Sequence, residues 1–144
     1  MTTSSRAELA ALAERYLAVL ASGAIDQADA IFAPDVIWHF GAGMTASGLA
    51  GWQAMVGDWL AAFPDLCPID AMTIIDAETA TFSVRMRWRA THRQAFMGLA
   101  ATDREVENEG VSVFRVAGGR IVEEWIFEDV ANLVAQLGDQ SPAN

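Results

Sequence analysis

The stretch Phe114–Gly138, FRVAGGRIVEEWIFEDVANLVAQLG, decides how the rest of the chain is read. Gly118-Gly119 is a strong two-residue hairpin signal, because tight hairpin turns need φ > 0 and glycine reaches it without strain. The residues before it (105–116) and after it (120–129) therefore read as antiparallel strands. A short helix follows over about 130–137, closed by Gly138. An uninterrupted ladder from that turn pairs Val116 with Ile121, Phe114 with Glu123, Ser112 with Trp125, Gly110 with Phe127 and Asn108 with Asp129. This register puts Asn108 and Asp129 side by side on the face that carries Trp125 and Phe127, and that face points at the helices if the aromatics are core. A carboxylate there is partly desolvated, which moves its pKa toward the range useful for proton transfer. The competing reading makes Asp129 the N-cap of the helix that starts at Val130. Spacing alone leaves both open. Glu128 has the opposite parity and is expected in solvent.

Upstream, Ser5 and Glu8 have capping-box spacing. The apolar positions Leu9, Leu12, Ala13, Tyr16, Val19 and Leu20 continue an amphipathic helix over 5–22, ended by Gly23. Asp26 starts a second short helix through Phe32. DVIWHF (35–40) reads as a buried strand and GAGMTASG as a glycine-rich loop. Trp52, Met55, Val56, Trp59, Leu60 and Phe63 form one helical stripe, stopped at Pro64-Asp65. Residues 67–77 read as a strand. Residues 80–92 alternate almost without fault, with Phe82, Val84, Met86, Trp88, Ala90 and His92 on one face and Arg85, Arg87 and Arg89 on the other. Helices set to one side of an antiparallel sheet give an α+β architecture. A strongly curved sheet over those helices leaves a conical cavity, for which Trp38, Met55, Trp59, Phe63, Trp88, Phe114, Trp125 and Phe127 are the candidate lining.

At 144 residues the chain reads as one domain, 1–144, with a core of about 5–138. A hydrophobic content of 53% is too high for disorder. No apolar run approaches the roughly 20 residues of a membrane span, and MTTSSRAELA has no apolar signal region. The lone Cys67 can form no internal disulfide, which fits a cytoplasmic setting. A net charge of −10 repels phosphate backbones, so nucleic acid is not an expected partner.

Few other residues invite chemistry. His92 ends the cleanest strand on its apolar face, either as a satisfied core histidine or as a partner of the carboxylate. His39 has the same two readings, with a pocket-lining role as the functional one. Neither histidine belongs to a metal-ligand motif such as H-E-x-x-H, so no metal is expected. No phosphate-binding or dinucleotide-binding fingerprint appears. The arginine row is read as an outer or interface face of the sheet.

The segments IFAPDVIWH (31–39), AFPDL (62–66), VRMRWRATH (84–92), FMG (96–98) and, above all, 114–138 resemble the SnoaL-like polyketide cyclases within the nuclear transport factor 2-like superfamily. The similarity runs from about Leu9 to Gly138. It implies a cone-shaped α+β barrel around one deep pocket, no cofactor, a small apolar polyketide-like carbonyl substrate, and dimers or tetramers formed through the sheet. It also implies that Asp129 matches the family's general acid/base, with His92 matching the histidine of a Gly-Thr-His-x-Gly segment. Ala90 and Gln94 depart from that segment, and AATDR (100–104) replaces a Pro-Thr-Gly turn, so substrate identity does not carry over. The implied chemistry is an aldol-type cyclisation or isomerisation. Epoxide hydrolysis, a hydroxylase component, or ligand binding without turnover are the alternatives. The strand ending at His92 offers Arg87 and Arg89 but no Asp, which counts against the epoxide reading.

Overall fold

The computed structural model describes residues 3–138. Helix α1 (Arg6–Ser22) opens on the expected capping box: the Ser5 hydroxyl accepts from the Glu8 amide at 3.1 Å, and the Ser5 amide donates to the Glu8 carboxylate at 2.6 Å. It closes at Gly23 with φ 72°. A 3-10 turn (Ile25–Ala30) leads into β1 (Phe32–Phe40), which starts earlier than its apolar run indicates and absorbs Pro34. Proline has no amide to donate, and the β1 pairing register breaks between Phe32 and Ile37, around it. The glycine-rich loop is a hairpin in which β2 (Met44–Ser47) folds back on β1. Helix α2 (Leu49–Ala62) and strands β3 (Cys67–Asp76), β4 (Thr81–Thr91), β5 (Glu105–Ala117) and β6 (Arg120–Glu128) follow, and α3 (Val130–Gly138) ends the described chain.

The six strands form one curved, unclosed sheet in the order β2-β1-β6-β5-β4-β3. Neighbours are antiparallel except β1 and β6, which run parallel. One face of the sheet packs on α1 and α2 through Phe32, Phe82, Val84, Trp88, Phe114 and Ile121, all buried. At ~25 cal/mol per Å² of apolar area removed from water, side chains of this size dominate the stabilisation. Among the described residues no helix is long and apolar enough to cross a membrane.

The β5–β6 hairpin departs from the uninterrupted register. Ala117 pairs with Arg120 and Val116 with Ile121, as the turn dictates, but Arg115 then pairs with Glu123. Val122 is an extra residue, a β-bulge, and every later residue of β6 changes face. Phe114 now stands opposite Glu124, Val113 opposite Trp125, and Gly110 opposite Glu128. Ile121 and Glu124, three apart, are both fully buried. The expected inward placement of Trp125 and Phe127 is therefore wrong: Phe127 is 51% exposed, and Trp125 lies on the outer face, stacked on His39.

The bulge sets a charge pair directly across the hairpin: Phe114 points inward, Arg115 points out, and the Arg115 guanidinium donates to Glu123 at 3.1 and 3.2 Å. This assignment of faces has a direct test in urea denaturation. Phe114→Ala should cost about 3–5 kcal/mol, whereas Arg115→Ala should cost no more than about 1 kcal/mol. Equal costs would contradict it.

Candidate active site

Between the inner sheet face and helices α1 and α2 lies a cleft enclosing about 640 Å³ of empty space, counted to its open mouth. Its walls are apolar: Met55, Val56, Trp59 and Leu60 come from α2, and Val84, Met86 and Trp88 from β4. The bulge at Val122 turns Glu124, Ile126 and Glu128 of β6 into this cleft, so two carboxyls line it with one isoleucine between them.

Glu128 is the better-placed acid. The Trp88 indole donates to its Oε2 at 3.3 Å and the Asn108 amide at 3.0 Å. The orientation of Asn108 is fixed from behind. Asn132, in α3, donates to the Glu107 carbonyl and to Asn108 Oδ1 (2.9 Å), which leaves Asn108 Nδ2 for Glu128. Burial pushes the Glu128 carboxyl up to about 7, against the pull of the two hydrogen bonds and with a smaller push from the Asp129 charge. A carboxyl that titrates near neutrality in an apolar cleft can both take and return a proton.

Gly110 makes room for this group. A Cβ on Gly110 would overlap the Glu128 carboxyl and come within 2.9 Å of the Phe127 carbonyl oxygen.

Glu124 sits at the opposite, buried end. Its Oε1 accepts from the Trp52 indole at 2.8 Å, and its Oε2 accepts from Ser112 at 2.8 Å and Tyr16 at 3.3 Å. Burial raises this carboxyl to about 7 as well, while its three donors pull the other way. The Tyr16 phenol is raised well above its ordinary value by burial and then by the Glu124 charge.

Several sequence expectations need correction. Asp129 is exposed and caps α3: its Oδ1 accepts from the Asn132 amide at 3.0 Å, and its carbonyl from the Leu133 amide. It does not meet Asn108 or His92, because the bulge moves the inward position to Glu128. His92 is fully buried but does not line the cleft; its Nδ1 accepts from the Thr102 amide at 3.2 Å and its ring packs on Phe63. Among the described residues its Nε2 is the buried side-chain atom without a hydrogen-bond partner. His39 lies on the outer face, held by Thr45 and Glu123 at 2.8 Å each. Trp38, Phe63 and Phe114 are core residues rather than lining: Trp38 donates to the Gly48 carbonyl, Phe63 packs against Trp88, and Phe114 stacks on Phe82. Met55, Trp59 and Trp88 line the cleft, and Asn108 reaches it through Glu128.

Sequence reasoning missed Glu124, Glu128, Tyr16, Ser112 and Gly110. The sequence held no decisive signal for the bulge, since Glu123 and Glu124 offer Arg115 an outward carboxylate in either register.

The family model described as SnoaL-like polyketide cyclase matches residues 10–137. The chain belongs to that family. Among solved structures, AclR from Streptomyces galilaeus, provisionally called a hydroxylase, is 26% identical with a TM-score of 0.81, covering 93% of this chain and 98% of its own. IdmH from Streptomyces antibioticus, provisionally called a polyketide cyclase, is also 26% identical, with a TM-score of 0.77 and coverage of 90% and 98%. A protein from Xanthomonas campestris pv. campestris, provisionally called a polyketide cyclase, shares the fold with a TM-score of 0.85 at 18% identity, covering 93% and 99%. No curated protein matches this SnoaL-like chain.

The steric role of Gly110 predicts that Gly110→Ala displaces the Glu128 carboxyl and shifts the β6 backbone at Phe127. Differential NMR titration of Glu128 should then give a pKa nearer the ordinary 4.5 than the value of about 7 in the parent chain. An unchanged titration would show that the carboxyl does not depend on that space.

Proposed function

We propose that this SnoaL-like protein is a cofactor-independent enzyme that moves a proton on a small apolar carbonyl compound, with Glu128 as general acid/base in place of the Asp129 that the resemblance implies. The observation that carries this reading is a carboxyl raised to about 7 in an apolar cleft and held by Trp88 and Asn108. In its ionised form Glu128 takes a proton from the carbon beside a substrate carbonyl, and the C–H electron pair becomes an enolate. In an aldol-type cyclisation that carbon bonds to a second carbonyl carbon of the same molecule. The new alkoxide then recovers the proton from the Glu128 carboxylic acid, which balances the step and regenerates the base. In an isomerisation the same proton returns to a different atom. The apolar walls hold a flat substrate and keep competing water out. The family's aldol chemistry and the cyclase name of IdmH support this reading.

A simple probe tests it. 2-Tetralone has an activated C–H beside its carbonyl and the shape of two fused rings. In D₂O the protein should catalyse its H/D exchange, followed by NMR. Glu128→Gln should slow that exchange on the order of 10²–10⁴-fold, while Asp129→Asn, which keeps a capping oxygen, should leave it within about twofold. Exchange that survives in Glu128→Gln would remove the general-base role and leave a binding protein. The ionised form is the base, so the exchange rate in the parent chain should climb with pH through about 7 and level off above it.

We further propose a homodimer through the outer sheet face. Ile37, Trp125, Phe127, Val111, Val113 and Met72 give that face an apolar centre, and Arg85, paired with Glu109 and Asp70, flanks it. Light scattering at micromolar concentration should return twice the 15.5 kDa chain mass, and Phe127→Glu should return 15.5 kDa. A single-chain mass for the unmodified protein rules the dimer out.

A further inference from the structure

The two oxygens of Glu128 stand in different surroundings. Oε2 accepts both hydrogen bonds that the carboxyl receives, from the Trp88 indole at 3.3 Å and from Asn108 Nδ2 at 3.0 Å. Among the described residues Oε1 receives none, and it is not one of the buried unpartnered atoms. It lies over Gly110, open to the cleft, and is the atom that a Cβ on Gly110 would meet first. An oxygen that accepts two N–H bonds has no lone pair left for a proton, so a protonated Glu128 carries its proton on Oε1.

The direction of the Asn108 amide decides this division. An amide side chain has a donor end and an acceptor end of nearly the same shape, and its neighbours determine which faces where. Here the choice traces back to a group that cannot be reversed. The Glu107 backbone carbonyl only accepts, and Asn132 Nδ2 and Gln136 Nε2 both donate to it, at 3.3 and 2.7 Å. Gln136 Oε1 accepts from the Glu107 amide at 3.2 Å, so α3 grips one residue of β5 in both senses. With Asn132 Nδ2 held there, the Asn108 atom it also meets at 2.9 Å is Oδ1. A donor is thereby presented to Glu128, which favours its carboxylate form. The reverse orientation would set a carbonyl oxygen against Oε2 and demand a proton on it.

We propose that Asn132 is a positioning residue: by fixing the Asn108 amide it keeps Oε2 of Glu128 an anchored, unprotonated oxygen and leaves Oε1 as the atom that takes and returns the proton. The use of that proton rests on the acid/base reading; the orientation does not depend on turnover. No other group facing Glu128 exerts this control. Tyr16 comes from α1 with a phenol raised well above its ordinary value, Glu124 shares the lining, and the remaining side chains of α2, β4 and β5 that line the cleft are uncharged. Asp129, next in sequence, adds only a small push through its charge.

Asn132→Asp reverses the relay. It replaces the donor end with a second acceptor, so Asn108 turns its Nδ2 to the new carboxylate and its oxygen to Glu128. Asn132 is exposed in the first turn of α3, where an acidic side chain favours the helix, so the fold is kept. Followed by NMR, the Glu128 carboxyl should then titrate about one pH unit higher than in the parent chain, because a hydrogen bond to a charged group is worth about a tenfold effect or more. Ala131→Asp is the control. It adds the same charge to the same turn without replacing a group that bonds Asn108, and it should move the titration much less. Tetralone exchange in Asn132→Asp should fall about tenfold at pH 6 and regain the parent plateau at high pH, which damage to the site would not allow. An unshifted titration in Asn132→Asp, a shift that Ala131→Asp matches, or exchange lowered equally at every pH overturns the assignment. Exchange that persists in Glu128→Gln removes the catalytic reading alone, since the NMR titration reads the orientation without turnover.

Discussion

The structure turns on the extra residue in β6. A strand allows only two faces, and the hydrogen-bonded ladder carries a single insertion all the way to its end. Val122 is that insertion. Upstream of it Ile121 is buried in the core; downstream of it Glu124, Ile126 and Glu128 face the helices, and Trp125 and Phe127 face out. Without the bulge Trp125 and Phe127 would take the inward places that Ile126 and Glu128 hold, and Glu123 would stand opposite Phe114 where Glu124 now does.

The elements were legible in the sequence because each has an unambiguous period or a strong stop. The α1 capping box, the stripe of α2, the alternation of β4 and the Gly118-Gly119 turn all stand where their residues indicate. The parity of β6 was not legible, and the reason is physical. Alternation reveals faces only when one face is polar, and here both carry apolar side chains: Ile126 inside, Trp125 and Phe127 outside, with Val111 and Val113 beside them. The hydrophobic pattern therefore selects the aromatic face as core. Two acids on the inward face break the local rule, as functional positions do. The parallel pairing of β1 with β6 was equally hidden, since it joins residues some ninety positions apart with no local signature. For Asp129, the capping alternative that spacing left open is the geometry seen, and the neighbouring glutamate occupies the inward position.

Helix α3 links the capping and the site. Asp129 fixes its first turn, Asn132 in that turn fixes Asn108, and Asn108 holds Glu128. The chain of contacts passes from solvent to cleft in three steps, and each member is set by the one before it. A site on a strand end is usually exposed to fraying. Here the strand continues into a helix whose Leu133 and Leu137 are buried, so the end of β6 is held from both sides. The Arg104 guanidinium adds a bond to the Gln136 carbonyl near the helix C-terminus.

The two carboxyls of the cleft also tie folding to proton uptake. In an unfolded chain each would titrate near 4.5; in the fold both stand at about 7. A group whose folded value lies above its unfolded value contributes stability that is complete below the unfolded value and fades as the pH rises through the folded one. Between about pH 4.5 and 7 the native chain therefore holds protons that the unfolded chain has released, and alkalinity draws on the stability of the whole domain. The same desolvation that readies Glu128 for proton transfer makes this fold, through these two residues, firmer in mild acid than above neutrality.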